Sequence, residues 1–414
     1  MRPKVAGVPG KSRASSGSPI RNPGIFQAVL PVGASRLGLT RRGSYGVRRI
    51  ILNNGILLVQ YGASALVPLL LVPHIVHSIG VNAYGEIAVA VAWANLAATV
   101  IRYAFHLTGP KRVAQSGGQR AGALVFAESL GAKLLLLLLI LVTFVAALCV
   151  APNLRVSNVQ GLVLLALSVG AALDSSWYLQ VRDRFLWICV PALVGTITSL
   201  WIGFGHVSDT DAGSIWAAGW ALVISPLFLG CATLVVAVLL VARSRFRWRA
   251  VRPIGALREG WPLFASQLVA ALYGIPGPIV ISGLVGVAEA GAYSAVERLI
   301  NGALNACLLT HTAAYPRLAS LYVQDRAAYW KVLKSVVVVY LCITSLIALV
   351  AWVFRDLLIV FLFGRNDVPD AELLIAWGLV WLMLGVFGTA VTGYMTVSGR
   401  SPEVIRLNLK VLGV

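Results

Sequence analysis

Stretches of roughly twenty apolar residues recur along this sequence, and a chain built from them has few folds open to it. A bilayer core offers no water to the peptide group, so each stretch must satisfy its own amides as a helix. The runs lie at about 52–79, 84–106, 123–150, 159–180, 186–206, 214–242, 262–284, 291–315, 333–354 and 371–396. They predict an all-α, polytopic membrane protein with about ten spans. Hydrophobic residues make up 58% and charged residues only 12%, with a mean hydropathy of +0.84, which excludes an ordinary soluble domain. The segment Val404–Val414 begins a further helix that covers only about half a crossing, so the last group of helices is expected to be incomplete.

Loops rich in Lys and Arg resist translocation and set orientation. With the amino terminus in the cytoplasm, only Arg155, Arg355 and Arg365 of the 34 basic residues fall in outer loops. That bias predicts a cytoplasmic amino terminus. Six arginines (Arg243, Arg245, Arg247, Arg249, Arg252, Arg258) crowd one connection after the sixth run, which reads as the boundary between two halves. The expected organisation is a basic segment over 1–49, a six-helix bundle over 50–242, a basic cytoplasmic linker over 243–261 and a second bundle of about four helices over 262–414. Residues 1–49 hold no acid and read as a cytoplasmic tail or a mis-assigned start rather than a transit peptide.

The net charge of +19 is spread over loop ends, with no soluble domain to present a groove, so nucleic acid is not expected as a partner. Anionic lipid headgroups are the expected partners of these loops. Cys149, Cys189, Cys231, Cys307 and Cys342 fall inside the apolar runs without metal-ligand spacing, and His74 with His77 lacks a third ligand. GVPGKS at 7–12 lacks the first glycine of a phosphate loop and the strand before it. No cofactor is expected.

An internal repeat is the most informative pattern. GVNAYG at 80–85 returns as GVAEAG at 286–291, with Gly286 lying 206 residues beyond Gly80. Gln60 precedes the first copy and Gln267 the second at nearly the same spacing. A proline pair, Pro68 with Pro73 and Pro276 with Pro278, precedes each copy as well. Six runs separate the copies, so the halves share one orientation and should be related by an axis along the membrane normal around a central cavity. Interrupted helices at matching positions of two halves point to a substrate cavity and to helix bending during alternating access.

Polar residues inside the runs are candidates for that cavity, because an intramembrane charge costs about 3 kcal/mol on insertion scales. Ser294, Arg298, Asn301, Asn305 and Thr312 recur at helical spacing and predict one polar stripe, with Glu297 on another face paired to a neighbouring helix. Arg298 either faces the cavity or snorkels to the interface. Arg102 and Lys133 face the same choice at the inner ends of their runs. Asp174 and Glu297 are candidates for ion coupling, Asp174 equally for a helix-end role.

The segments LVPHIVHSIGVNAYGEIAVA (71–90), WYLQ (177–180), GAYSAVERL (291–299) and AAYPRLASLY (313–322) resemble the Wzx-type polysaccharide flippases of the multidrug/oligosaccharidyl-lipid/polysaccharide exporter superfamily. The resemblance covers roughly residues 50–400. It implies two six-helix bundles around a cavity and export of undecaprenyl-diphosphate-linked oligosaccharide across the bacterial inner membrane for O-antigen, capsule or exopolysaccharide synthesis. Cationic cavity residues would bind the diphosphate, with Arg298, Arg102 and Lys133 in that role here. It further implies a carrier rather than an enzyme, with a polysaccharide polymerase and a chain-length protein as partners. A multidrug or peptidoglycan-precursor exporter of the same superfamily is the alternative cargo reading. A polytopic glycosyltransferase or polymerase fits less well, because the outer connections are short.

Overall fold

The computed structural model describes residues 43–116, 118–150, 156–208, 210–243, 251–274, 277–364 and 368–397. The described residues form thirteen helices and no strand. The basic segment up to residue 42, most of the arginine-rich connection, Pro276 and the chain beyond residue 397 lie outside them.

The first element, α1 (Gly43–Arg102), is 60 residues long and runs through Pro68 and Pro73. Its one break is at Gly80, with φ 81° and ψ 162°. That conformation is open to glycine and strained for any side chain, so the glycine decides where the chain folds back. Unbroken, a helix of this length would extend about 90 Å, three times a bilayer core. The two apolar runs expected at 52–79 and 84–106 are the arms on either side of Gly80. Neither Pro68 nor Pro73 interrupts the helix, since a membrane helix can absorb one missing amide where neighbours or side chains re-satisfy the freed carbonyl.

A short helix that the apolar pattern does not announce comes next, α2 (Phe105–Gln115), entered through Tyr103 (φ 46°) and Ala104 (φ 55°). Two successive left-handed non-glycine residues cost of order 1–3 kcal/mol each. The tertiary structure offsets this by burying Tyr103 and Phe105 against Phe264. Beyond it lie α3 (Gln119–Val150), α4 (Asn158–Leu173) and α5 (Ser176–Val181). A capping box between Ser157 and Gln160 starts α4 by satisfying two free amides reciprocally. The first half closes with α6 (Leu186–His206) and α7 (Ala212–Ala242). Asp211 caps α7 by accepting from the Ser214 amide at 2.9 Å.

The second half contains α8 (Pro253–Gly274), α9 (Gly277–Leu284), α10 (Val287–Gln324), α11 (Arg326–Val353), α12 (Arg355–Phe363) and α13 (Ala371–Val397). A bend of 44° separates α8 from α9, next to the buried Pro278.

Among the described residues six helices are long and apolar enough to span a bilayer, or seven if the bent α8–α9 pair is one span. This is fewer than the ten apolar runs. The Val67–Gln115 stretch counts once although its 49 residues fold back at Gly80. The run at 291–315 lies on α10, which carries Glu289, Glu297 and Arg298 and is not among the six. The last run is a shorter apolar helix over Ala371–Gly385.

The two copies of the repeat meet. A Cβ on Gly85 would collide with the carbonyl oxygen of Val287, and one on Gly291 with the carbonyl oxygen of Val81. The same Cβ on Gly291 would stand 2.9 Å from the Gly85 Cα. Only glycine allows backbones this close. Val81 and Gly85 correspond to Val287 and Gly291 in the repeat, so the contacts exchange under the repeat, as they do in a two-fold self-complementary interface. Around the crossing, Ile75, Ile79, Tyr84 and Ile87 of α1 share one buried core with Ala292, Ala295 and Val296 of α10.

Candidate functional site

Charged and polar side chains gather at three places along the junction of α1, α2 and α3 with α8 and α10. The first is the break between α4 and α5. Lys133 on α3 is only 4% exposed. Its Nζ donates to the Asp174 carbonyl at 2.5 Å, at the end of α4. Asp174 in turn accepts from Ser176 N at 3.0 Å and Ser176 Oγ at 2.5 Å, which starts α5. The Ser175 amide donates to Thr233 Oγ1 at 3.1 Å. Lys133 therefore does not snorkel, and Asp174 takes the helix-end role as well as pairing electrostatically with Lys133. Arg102 and His106, both exposed, lie close enough to this pair to feel its charge. Two cations, Lys133 and Arg102, thus face one acid, and Arg102 is the exposed one.

The second place is α10. Ser294 is buried and Arg298 half-buried. Arg298 lies within electrostatic range of the buried Tyr84, whose hydroxyl has no hydrogen-bond partner among the described residues. The carboxylate of Glu297 lies near the side chain of Asn301, one turn on along the same helix. Asn301 stands one turn from both Glu297 and Arg298. Residues four apart stand above one another, so 297–301 forms one ridge and 294–298 the next. The side chain of Asn305 lies outside the described residues, as does Pro276. Gln60 is buried on α1 and Gln267 half-buried on α8.

The third place joins α2 and α3 to α8 at the other end of α1. Tyr103 stacks on Phe264 of α8 with centroids 4.1 Å apart. Arg112 of α2 pairs with Glu128 of α3 at 2.5 Å and with Glu259 of α8 at 3.1 Å. Sequence reasoning missed this group, because Arg112 and Glu259 sit in short connections where charge is the default.

At the Gly80 end, His74 Nε2 is 3.0 Å from the Val207 carbonyl and the ring packs on Phe204 at 4.7 Å. Its role there is to tie α1 to the end of α6. Among the described residues no three His, Cys, Asp or Glu side chains stand close enough to hold a metal ion.

A family model described as polysaccharide biosynthesis protein matches residues 51–322, well over half of the chain. The chain belongs to this polysaccharide biosynthesis family. Two curated relatives are provisionally named O-antigen transporters. One, from Shigella dysenteriae, is 21% identical over 64% of this chain and 66% of its own length. The other, from Escherichia coli strain K12, is 22% identical over 65% of this chain and 65% of its own length. The chain thus spans just under two thirds of each. A solved structure of a multidrug resistance MATE family transporter of the MOP superfamily, in an inward-facing conformation, superposes with a TM-score of 0.55 at 15% identity, covering 84% of this chain and 83% of that one. The chain therefore shares the fold of this MATE family transporter. The family match ends within the last turn of α10, and so contains all three places.

Proposed function

We propose that this protein is a flippase that moves undecaprenyl-diphosphate-linked oligosaccharide across the bacterial inner membrane, with its amino terminus in the cytoplasm. The reading is carried by one observation: both copies of the repeat carry an arginine on the helix beyond the glycine motif, Arg102 near Lys133 and Asp174 and the half-buried Arg298 near Tyr84. A diphosphate needs such groups to replace its hydration, and charges inside a membrane protein are retained for this kind of work. Gln60, Gln267, Asn301 and Asn305 would supply neutral hydrogen bonds along the path. The glycine crossing closes the outer end, while Tyr103–Phe264 and Arg112–Glu259 close the inner end by side chains alone. Alternating access then consists of parting one junction while the other holds, with Pro68, Pro73, Pro276 and Pro278 easing the bending of α1 and of the α8–α9 pair. Asp174, held beside Lys133, is the proposed ion-coupling acid. Carrier chemistry needs no catalytic residue, and none is assigned.

The test is transfer of lipid-linked oligosaccharide in proteoliposomes. Arg298→Ala and Arg102→Ala should each abolish transfer while the protein still inserts and purifies normally. Transfer at the wild-type rate in both variants would end the diphosphate reading. Export of a cationic drug by the wild type, without movement of the lipid, would favour the multidrug cargo instead.

A further inference from the structure

The repeat contains its own control experiment. On the first copy, positions 87, 88, 91 and 92 are Ile87, Ala88, Val91 and Ala92, all buried or half-buried. The matching residues 206 further on are Tyr293, Ser294, Glu297 and Arg298. The first copy shows that this helix, with the same glycine crossing at its start, packs with apolar side chains alone. The polar set on α10 is therefore not demanded by packing, and each ionisable member costs free energy within the bilayer. Asn95 and Asn301, by contrast, are the same residue at the same position.

Those residues form a group with a definite chemistry. Glu297 lies near the side chain of Asn301 one turn on, and Tyr293 stands one turn before it. The Tyr293 ring fills the space beside the α8–α9 bend: a Cβ on Gly277 would lie 2.7 Å from its ring and 2.8 Å from its hydroxyl. Its centroid is 6.5 Å from that of Trp381 on α13, tilted by 33°. Asn301 is exposed and Tyr293, Glu297 and Trp381 are half-buried, so the group is open on one side. Two aromatic faces, a carboxylate and a carboxamide suit a ligand with an apolar C–H face and a rim of hydroxyls, which is a sugar ring. A polyprenyl tail would leave the carboxylate unused, and a phosphate would be repelled by it. Arg298, on the adjacent ridge, is left to the diphosphate.

We infer that Tyr293, Glu297, Asn301 and Trp381 form a subsite for the sugar that is joined directly to the diphosphate. The inference rests on the proposed lipid-linked cargo. Glu297 then recognises substrate and is not the ion-coupling acid, a role left to Asp174.

The experiment measures binding by the purified full chain of two probes, undecaprenyl diphosphate alone and undecaprenyl diphosphate carrying one N-acetylhexosamine. The wild type should favour the sugar-bearing lipid by at least about tenfold. Glu297→Gln and Trp381→Leu should erase most of that preference and leave affinity for the bare lipid unchanged, whereas Arg298→Ala should weaken both probes alike. Tyr293→Phe, which keeps the ring, guards against loss of fold and should retain most of the preference. Equal binding of the two probes by wild type would overturn the subsite and leave the flippase reading intact. Equal weakening of both probes by Glu297→Gln would reduce Glu297 to a structural or Arg298-positioning role and overturn it too. Binding of neither probe by wild type would remove the lipid-diphosphate cargo and the subsite with it.

Discussion

The arm of α1 beyond Gly80 and the helix α10 beyond Gly286 start from the same motif and cross one another, yet they carry different loads. Along the first, Ile87 and Ala88 enter a core shared with α4 and α7, Val91 packs against it and Ala92 is buried. Along the second, Tyr293, Ser294, Glu297 and Arg298 occupy those positions. The scaffold requires only the glycines and small residues at the crossing, and the helix beyond them is open to specialisation. The first half places its own charges elsewhere, at the opposite end of the arm, where Arg102, His106, Lys133 and Asp174 meet. One copy of the repeat thus packs with apolar side chains, and the other, the proposed binding copy, carries polar ones at the same positions.

The division between the copies is most vulnerable at the crossing. Gly85→Leu forces a side chain into the Val287 carbonyl, and the cost should reach or exceed the top of the usual overpacking range of about 1–3 kcal/mol. Thermal unfolding in detergent should show a large loss. Gly161→Leu, where nothing stands within 4 Å, should be neutral or slightly stabilising. Equal effects at the two sites would mean that the close approach is not needed.

Making the packing copy resemble the binding copy comes next. Ala92→Arg puts a cation at a position that is 5% exposed and has no acid beside it in the sequence, and should destabilise by about 3 kcal/mol. Arg298→Ala should leave the melting temperature nearly unchanged, since its half-buried site tolerates apolar residues in the other copy. A large loss at Arg298 would make it a structural residue.

The junction of side chains at the Tyr103 end separates two partners of one arginine. Arg112→Ala strands Glu128, which is 8% exposed, and should cost about 2–3 kcal/mol. Glu259→Gln removes only the exposed partner and should cost less than about 1 kcal/mol, and still less in high salt. Its visible effect should be easier separation of α2 from α8, read by spin-label distances. An unchanged distance distribution would show that the pair does not hold α2 and α8 together.

The smallest effect is expected at Asp211. Its hydrogen bonds to the Ser214 side chain and amide hold the carboxyl below the usual carboxylate range. A depressed native value means that the cap contributes above the unfolded-state pKa and fades as pH falls through the native one. Asp211→Ala should therefore speed amide exchange at the start of α7 near neutral pH and make no difference in acid. A pH-independent effect would assign the change to something other than the cap.

Much of the fold is legible in the sequence, though unevenly. Apolar runs announce the helices because a span must be apolar along its whole length. They do not announce α2, which is short and amphipathic, nor the interruption at Asp174, where Lys133 reaches over from α3 to finish α4. The prolines point to the right helices, yet in α1 the chain folds back at Gly80. Helical spacing places Asn301 one turn from both Arg298 and Glu297. Residues three and four apart are both neighbours, and spacing alone does not choose between them.

Hydropathy and self-similarity are properties of one chain read in order. They suffice to make this a multi-helix membrane protein with a duplicated glycine motif. Three-dimensional packing was needed to show that the two motifs touch each other, that Lys133 is spent on a helix end while Arg102 stays exposed, and that Arg112 joins α2 and α3 to α8. Those outcomes depend on which backbones come within van der Waals reach, and that distance is set by packing across hundreds of intervening residues.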